Sequence, residues 1–137
     1  MSKGKDFFET ISSEKGIYKE QNSEKLNFCL GMCFRTEIDK DYISFFEKII
    51  LAKWHEEYEN IVDIVREFKD DRFSESLKQI IIEPEIYRNF DDENEATLRK
   101  CIHALKEINS EKSISIINDL RKSNNKNIEY ALEMHTK

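Results

Sequence analysis

The chain repeats its own apolar pattern at a spacing of forty residues. Ile61, Val62, Val65 and Phe68, followed by Asp70-Asp71-Arg72 and then Leu77 and Ile80, recur as Cys101, Ile102, Leu105 and Ile108, then Ser110-Glu111-Lys112, Ile117 and Leu120. At a spacing of thirty, Leu98, Cys101 and Ile102 are answered by Ile128, Ala131 and Leu132. Within each unit the apolar positions fall three and four apart on both sides of a polar break, which is the pattern of two amphipathic helices. Units of this length bury their apolar faces only against their neighbours, so the expected fold is all-α: a short right-handed α-solenoid of antiparallel helix pairs.

Composition narrows what such a stack can do. With 137 residues and 39% apolar side chains, the chain can build one core without a disulfide or a metal ion. Its 28 acids against 22 bases give a net charge of −6, which argues against a nucleic-acid backbone as partner and for a basic protein. The three cysteines, Cys29, Cys33 and Cys101, are an odd number, and no leader-like segment opens the chain, so a cytoplasmic protein is expected. No apolar run approaches the roughly 20 residues of a membrane span, and no membrane association is expected.

Residues 1–38 form an expected N-terminal helical cap, and 39–137 the repeats. Leu26, Cys29, Leu30 and Cys33 fit one face of a helix, although Leu26, Phe28, Leu30, Met32 and Phe34 also alternate as a strand would; the rest of the chain offers no partner strand. Tyr42, Ile43, Phe46, Ile49 and Ile50 then form a clear stripe, and Trp54-His55-Glu56-Glu57 separates it from the helix carrying Tyr58, Ile61, Val62, Val65 and Phe68. Asp70 or Asp71 is placed to cap the next helix, whose stripe is Phe73, Leu77, Ile80 and Ile81 and which Pro84 should stop. Residues 83–94 have no period and read as an insertion, the kind of loop that repeat proteins often use for binding. After it come Leu98 to Ile108, a turn capped by Ser110, a stripe of Ile114, Ile117 and Leu120, a polar turn at Ser123-Asn124-Asn125, and Ile128, Ala131 and Leu132.

Residues 97–135 resemble the short HEAT-type repeat of the phycobilisome-lyase kind, in a likeness that covers roughly residues 40–135. The likeness rests on Leu98-Arg99, on Ala104-Leu105 with Ile108, on the short polar turn after it, and on Ile128 with Ala131-Leu132. Asn109 and Ser110 stand where Gly and Asp are usual, and the Pro of that turn is absent. Trp54-His55-Glu56-Glu57, together with Tyr87-Arg88, Phe90 and Asp91-Asp92, is further similar to small bacterial HEAT-like proteins, some of which act as immunity proteins against delivered toxins. Phe90 takes a place where that group would carry Trp. The resemblance implies a non-enzymatic module that binds and neutralises a basic toxin; the alternatives are a self-associating regulatory scaffold and a HEAT-like enzyme. HEAT-like glycosylases need a basic groove, and the polar faces here are mainly acidic.

The candidate partner-binding residues fall in three groups. Trp54 and His55, beside Glu56 and Glu59, are either an aromatic interface anchor with its charges or a wedge that closes two helices. On the insertion, Tyr87, Phe90, Asp91, Asp92 and the base Arg88 supply anchors and charge for a basic ligand, or else fold back as an ordinary loop whose acids favour the next helix N-terminus. Asp63 with Glu56 and Glu59, then Glu95, Arg99 and His103, and last Glu129, Tyr130 and Glu133, should line one face of the stack as a mainly acidic floor, or be a plain solvated surface. Cys29 and Cys33 lie one helical turn apart, but no histidine spacing completes a zinc site, and they read as buried apolar thiols. No cofactor, metal or catalytic group is expected.

Overall fold

The computed structural model describes residues 43–134 together with Leu26 and Leu30. Leu26 and Leu30 are helical and buried, one turn apart, as the helix reading of their segment expects. Cys29, Cys33, Tyr42 and the remainder of the expected 1–38 cap lie outside the described residues.

Residues 43–134 form seven α-helices and one 3-10 turn, and no strand occurs among the described residues. They are α1 (Ile43–Ile49), α2 (Tyr58–Phe68), the 3-10 turn (Asp71–Phe73), α3 (Ser74–Ile82), α4 (Pro84–Tyr87), α5 (Ala96–Ile108), α6 (Glu111–Arg121) and α7 (Lys126–Met134). α5 is the common neighbour: it packs against α2, α3, α6 and α7, and α3 also meets α6. Its Leu98, Cys101, Ile102, Ala104 and Leu105 are all fully buried, so the helix is apolar on more than one side. α2 contributes Ile61, Val62, Ile64 and Val65 to the same core, and α3 contributes Leu77, Ile80 and Ile81.

Side-chain bridges fix the direction of three of these helices. Glu59 and Asp63 of α2 meet Lys100 of α5, and Arg66, further along α2, meets Glu107, further along α5. Arg99 and Lys106 of α5 meet Asn127 and the Leu132 carbonyl of α7 in the same order. Pairs that advance together along both helices require α2, α5 and α7 to run parallel.

The repeat extends to the backbone of the turns. α2 ends at Lys69 with φ 51° and ψ 39°, and α5 ends forty residues later at Asn109 with φ 53° and ψ 39°. Both are left-handed stops, the conformation that a following glycine usually supplies. A polar cap follows each: Asp70 accepts from the Arg72 amide, and Ser110 accepts from the Ser113 amide at 3.0 Å. Ser113 answers through its own hydroxyl, which accepts from the Ser110 amide at 2.8 Å, completing a reciprocal capping box.

Two expectations are corrected. Ile114, expected in the α6 stripe, is 43% exposed, and α6 instead buries Ser113, Ile116, Ile117 and Leu120. The cause is the cap: Ser113 must point inward to bond Ser110, which turns the following residue outward. Residues 83–94 are not a structureless insertion either. α3 stops at Ile82, and Pro84, whose missing N–H costs nothing at a first helical position, opens α4.

Neither helix stop uses glycine. Replacing Lys69 by Gly should therefore raise stability by about 0.5–1 kcal/mol, because a Cβ in the left-handed region is strained. Asn109→Gly should gain less, since asparagine tolerates that region better. Chemical denaturation of the two variants measures the difference.

Candidate functional site

The expected site residues divide sharply between those the fold uses internally and those it displays. Around the α1–α2 junction the fold uses the two ring side chains. His55 is buried, with its Nε2 2.6 Å from the Ile49 carbonyl and its Nδ1 accepting from the Glu57 amide at 3.1 Å. That pair of bonds corresponds to a neutral ring protonated at Nε2. Burial lowers its pKa below the ordinary histidine value, although the Ile49 carbonyl and the Glu57 charge act the other way. Trp54 is half-buried, edge-on to His55 at 5.0 Å, and the row continues through Tyr58 to Tyr87. Tyr58 donates to the Ala52 carbonyl, and its phenol is pushed up to about 12, chiefly by burial. Of this group Glu56 and Glu59 are left exposed.

The segment after α4 is built around two inward-turned charges. The Arg88 side chain is only 6% exposed. It donates to the carbonyls of Ile80 (3.1 Å) and Ile81 (2.8 Å), near the end of α3, and to Glu95 at 2.7 Å, just before α5. One guanidinium thus satisfies carbonyls that the helix end leaves free and ties two elements together. Asp91 does the corresponding work at the start of α5: its carboxylate accepts from the Thr97 amide at 3.1 Å, the Thr97 hydroxyl at 2.6 Å and the Leu98 amide. A carboxylate at that position also suits the positive end of the helix dipole. Asn127 of α7 closes the arrangement by donating to the Glu93 carbonyl and to Glu95 at 2.7 Å. Burial works to raise the Glu95 carboxyl, but the bonds from Asn127 and Arg88 outweigh it and hold it below the usual range.

Tyr87 is buried against Tyr58, so the aromatic on this segment that meets solvent is Phe90, at 73% exposure. Asp92 is exposed and accepts from the Asn94 amide. Ile82 and Ile86 are also exposed, at 50% and 38%. The sequence sets Ile86 with Tyr87 and Phe90 among the acids of the insertion, whereas Ile82, at the end of the α3 stripe, was not expected at the surface.

The face shared by α2, α5 and α7 carries acids that are largely matched. Lys100 lies 2.6 Å from Asp63 and 3.2 Å from Glu59. Partial burial opposes its charge, yet the bonds to these two carboxylates prevail and raise its pKa. Arg99 lies over the Tyr130 ring at 4.6 Å while bonding Asn127, and His103 is half-buried beside it on α5. Lys100, Glu107 and Asn127 were not among the expected site residues; the spacing of opposite charges on adjacent repeats was the available signal. Cys101 is fully buried, which pushes its thiol far up and leaves it as an apolar filler.

Comparison with family models, curated proteins and solved structures finds no match. The site is thus read from its geometry. Among the described residues no group of His, Cys, Asp and Glu is gathered so as to hold a metal ion, and no helix is long and apolar enough to cross a membrane.

This division has a direct test. Arg88→Ala takes the donor from two helix-end carbonyls and the cation from Glu95, which keeps its Asn127 bond, so it should cost about 2 kcal/mol or more, as unsatisfied buried groups do. Phe90→Ala removes an exposed ring and should stay within about 0.5 kcal/mol. Equal losses in thermal or urea unfolding would mean that the segment is not divided in this way.

Proposed function

We propose that this chain is a non-enzymatic protein-interaction module, a short right-handed α-solenoid of HEAT-like helix pairs, acting as a bacterial immunity protein that covers a basic toxin. The observation that carries the reading is Phe90. A phenyl ring that is 73% exposed stands on a segment that is otherwise fastened down by Arg88, Asp91 and Asn127. Large side chains held rigidly in solvent are the anchors of protein interfaces, because little ordering cost remains when a partner arrives. The parallel course of α2, α5 and α7, with α3 against α6 beside them, supports the solenoid reading. The acidic balance of −6 supports a basic partner, which it would steer by long-range attraction.

Inhibition by such a module is stoichiometric: it occludes a toxin's active site and turns nothing over. The products of the neighbouring reading frames are the first candidates. Purified and mixed with this chain, one basic product should co-elute as a one-to-one complex and lose its toxic activity at equal molar ratio. If no neighbouring product forms a complex, or if inhibition is sub-stoichiometric, the reading fails.

A further inference from the structure

Among the described residues, the large apolar side chains left in solvent are Ile82, Ile86, Phe90, Ile114 and Tyr130. Three of these five fall on one stretch at successive steps of four, across the end of α3, α4 and the turn beyond it. Exposed apolar residues scattered singly carry no message, but three of them within nine residues mark an interaction surface. On the same stretch Glu85, Asp92 and Glu93 are exposed. Its single base, Arg88, is turned inward onto Ile80, Ile81 and Glu95 and offers no charge to the surface. The surface of residues 82–93 is therefore apolar and negative, and it is held in shape from behind.

From this we infer that Ile82, Ile86 and Phe90 seat a basic, apolar-faced helix of the partner protein, with Glu85, Asp92 and Glu93 receiving its Lys and Arg side chains. The inference rests on the interaction-module reading and adds the face and the class of segment that docks there. Charge complementarity selects the occupant. A nucleic acid or an anionic membrane would meet three exposed carboxylates, and a second copy of this chain would bring the same acids to its own. A basic segment with an apolar side matches both properties at once, and an amphipathic helix carrying Lys and Arg is the simplest segment of that kind.

The test uses the full chain and a labelled 14-residue amphipathic helix of Lys and Leu, with a Glu and Leu counterpart as control, read by fluorescence anisotropy. The Lys/Leu peptide should bind and the Glu/Leu peptide should not. Phe90→Ser or Ile86→Ser should weaken binding about tenfold, as loss of an interface anchor does, while Ile114→Ser, on α6, should leave it unchanged. Glu85→Gln with Glu93→Gln should reduce both the affinity and its dependence on salt. All substituted side chains are exposed, and unfolding curves that overlay the wild type establish that each variant is folded. The inference is overturned if the Lys/Leu peptide fails to bind, if Ser at 86 and 90 has no more effect than Ser at 114, or if both peptides bind alike. It is also overturned if the wild type self-associates in light scattering and Phe90→Ser makes it monomeric, since a second copy is then the occupant. If a neighbouring gene product binds the wild type and Phe90→Ser equally, the seat is wrong while the interaction-module reading stands.

Discussion

The packing of residues 43–134 hangs on the burial of α5. A thirteen-residue helix with five fully buried side chains can be stable only with partners on several sides, and α2, α3, α6 and α7 are those partners. Small residues make the crowding possible: Cys101 and Ala104 let neighbouring helices approach, while Leu98, Ile102 and Leu105 fill the gaps. The ends of α5 are as constrained as its middle. Asp91 holds the first turn, and Asn109 with the Ser110–Ser113 box turns the chain sharply into α6. The segment before α5 is ordered because it serves this helix, and its outward residues inherit that order.

Alternation of roles along 86–95 is the link between fold and function. Tyr87, Arg88, Asp91 and Glu95 face inward to aromatic, carbonyl, amide and guanidinium partners. Ile86, Phe90, Asp92 and Glu93 are left to solvent. A segment of this kind gives a partner a surface whose backbone entropy has already been lost in folding, which is the condition for affinity from few contacts. The α2–α5–α7 face is different in character. Glu59 and Asp63 are committed to Lys100 and Glu107 to Arg66, and Arg99 bonds Asn127, so this part of the face cross-braces parallel helices, while Glu129 and Glu133 of α7 stay exposed.

The helices were legible in the sequence because their apolar positions follow helical spacing without competition. Ile61, Val62 and Val65, and forty residues later Cys101, Ile102 and Leu105, are buried alike, and the breaks at Lys69 and Asn109 share a backbone conformation. Local chemistry overrode that pattern where polar atoms had bonds to satisfy. Ser113 took an inward position for its capping bond, so the periodic choice of Ile114 over Ile116 was out of phase. His55 and Tyr87 belong to an aromatic row joining elements that are distant in sequence, and Arg88 bonds the end of α3 on one side and the residue before α5 on the other; no periodicity encodes such partners. A lone base among six acids was the clue that Arg88 is internal, since a charge so outnumbered is readily drawn into pairing.

Native-state hydrogen exchange tests most directly the claim that α5 and the segment before it are one cooperative unit. The amides of Thr97 and Leu98, which bond Asp91, and those of the α5 interior should exchange only through global unfolding, at a free energy equal to that from denaturant titration. The amide of Arg88, which bonds the Pro84 carbonyl, should be protected to a similar degree. If these amides exchange through low-energy local openings while the rest of α5 stays closed, the segment is not fastened to the core, and a preformed binding surface on it is contradicted.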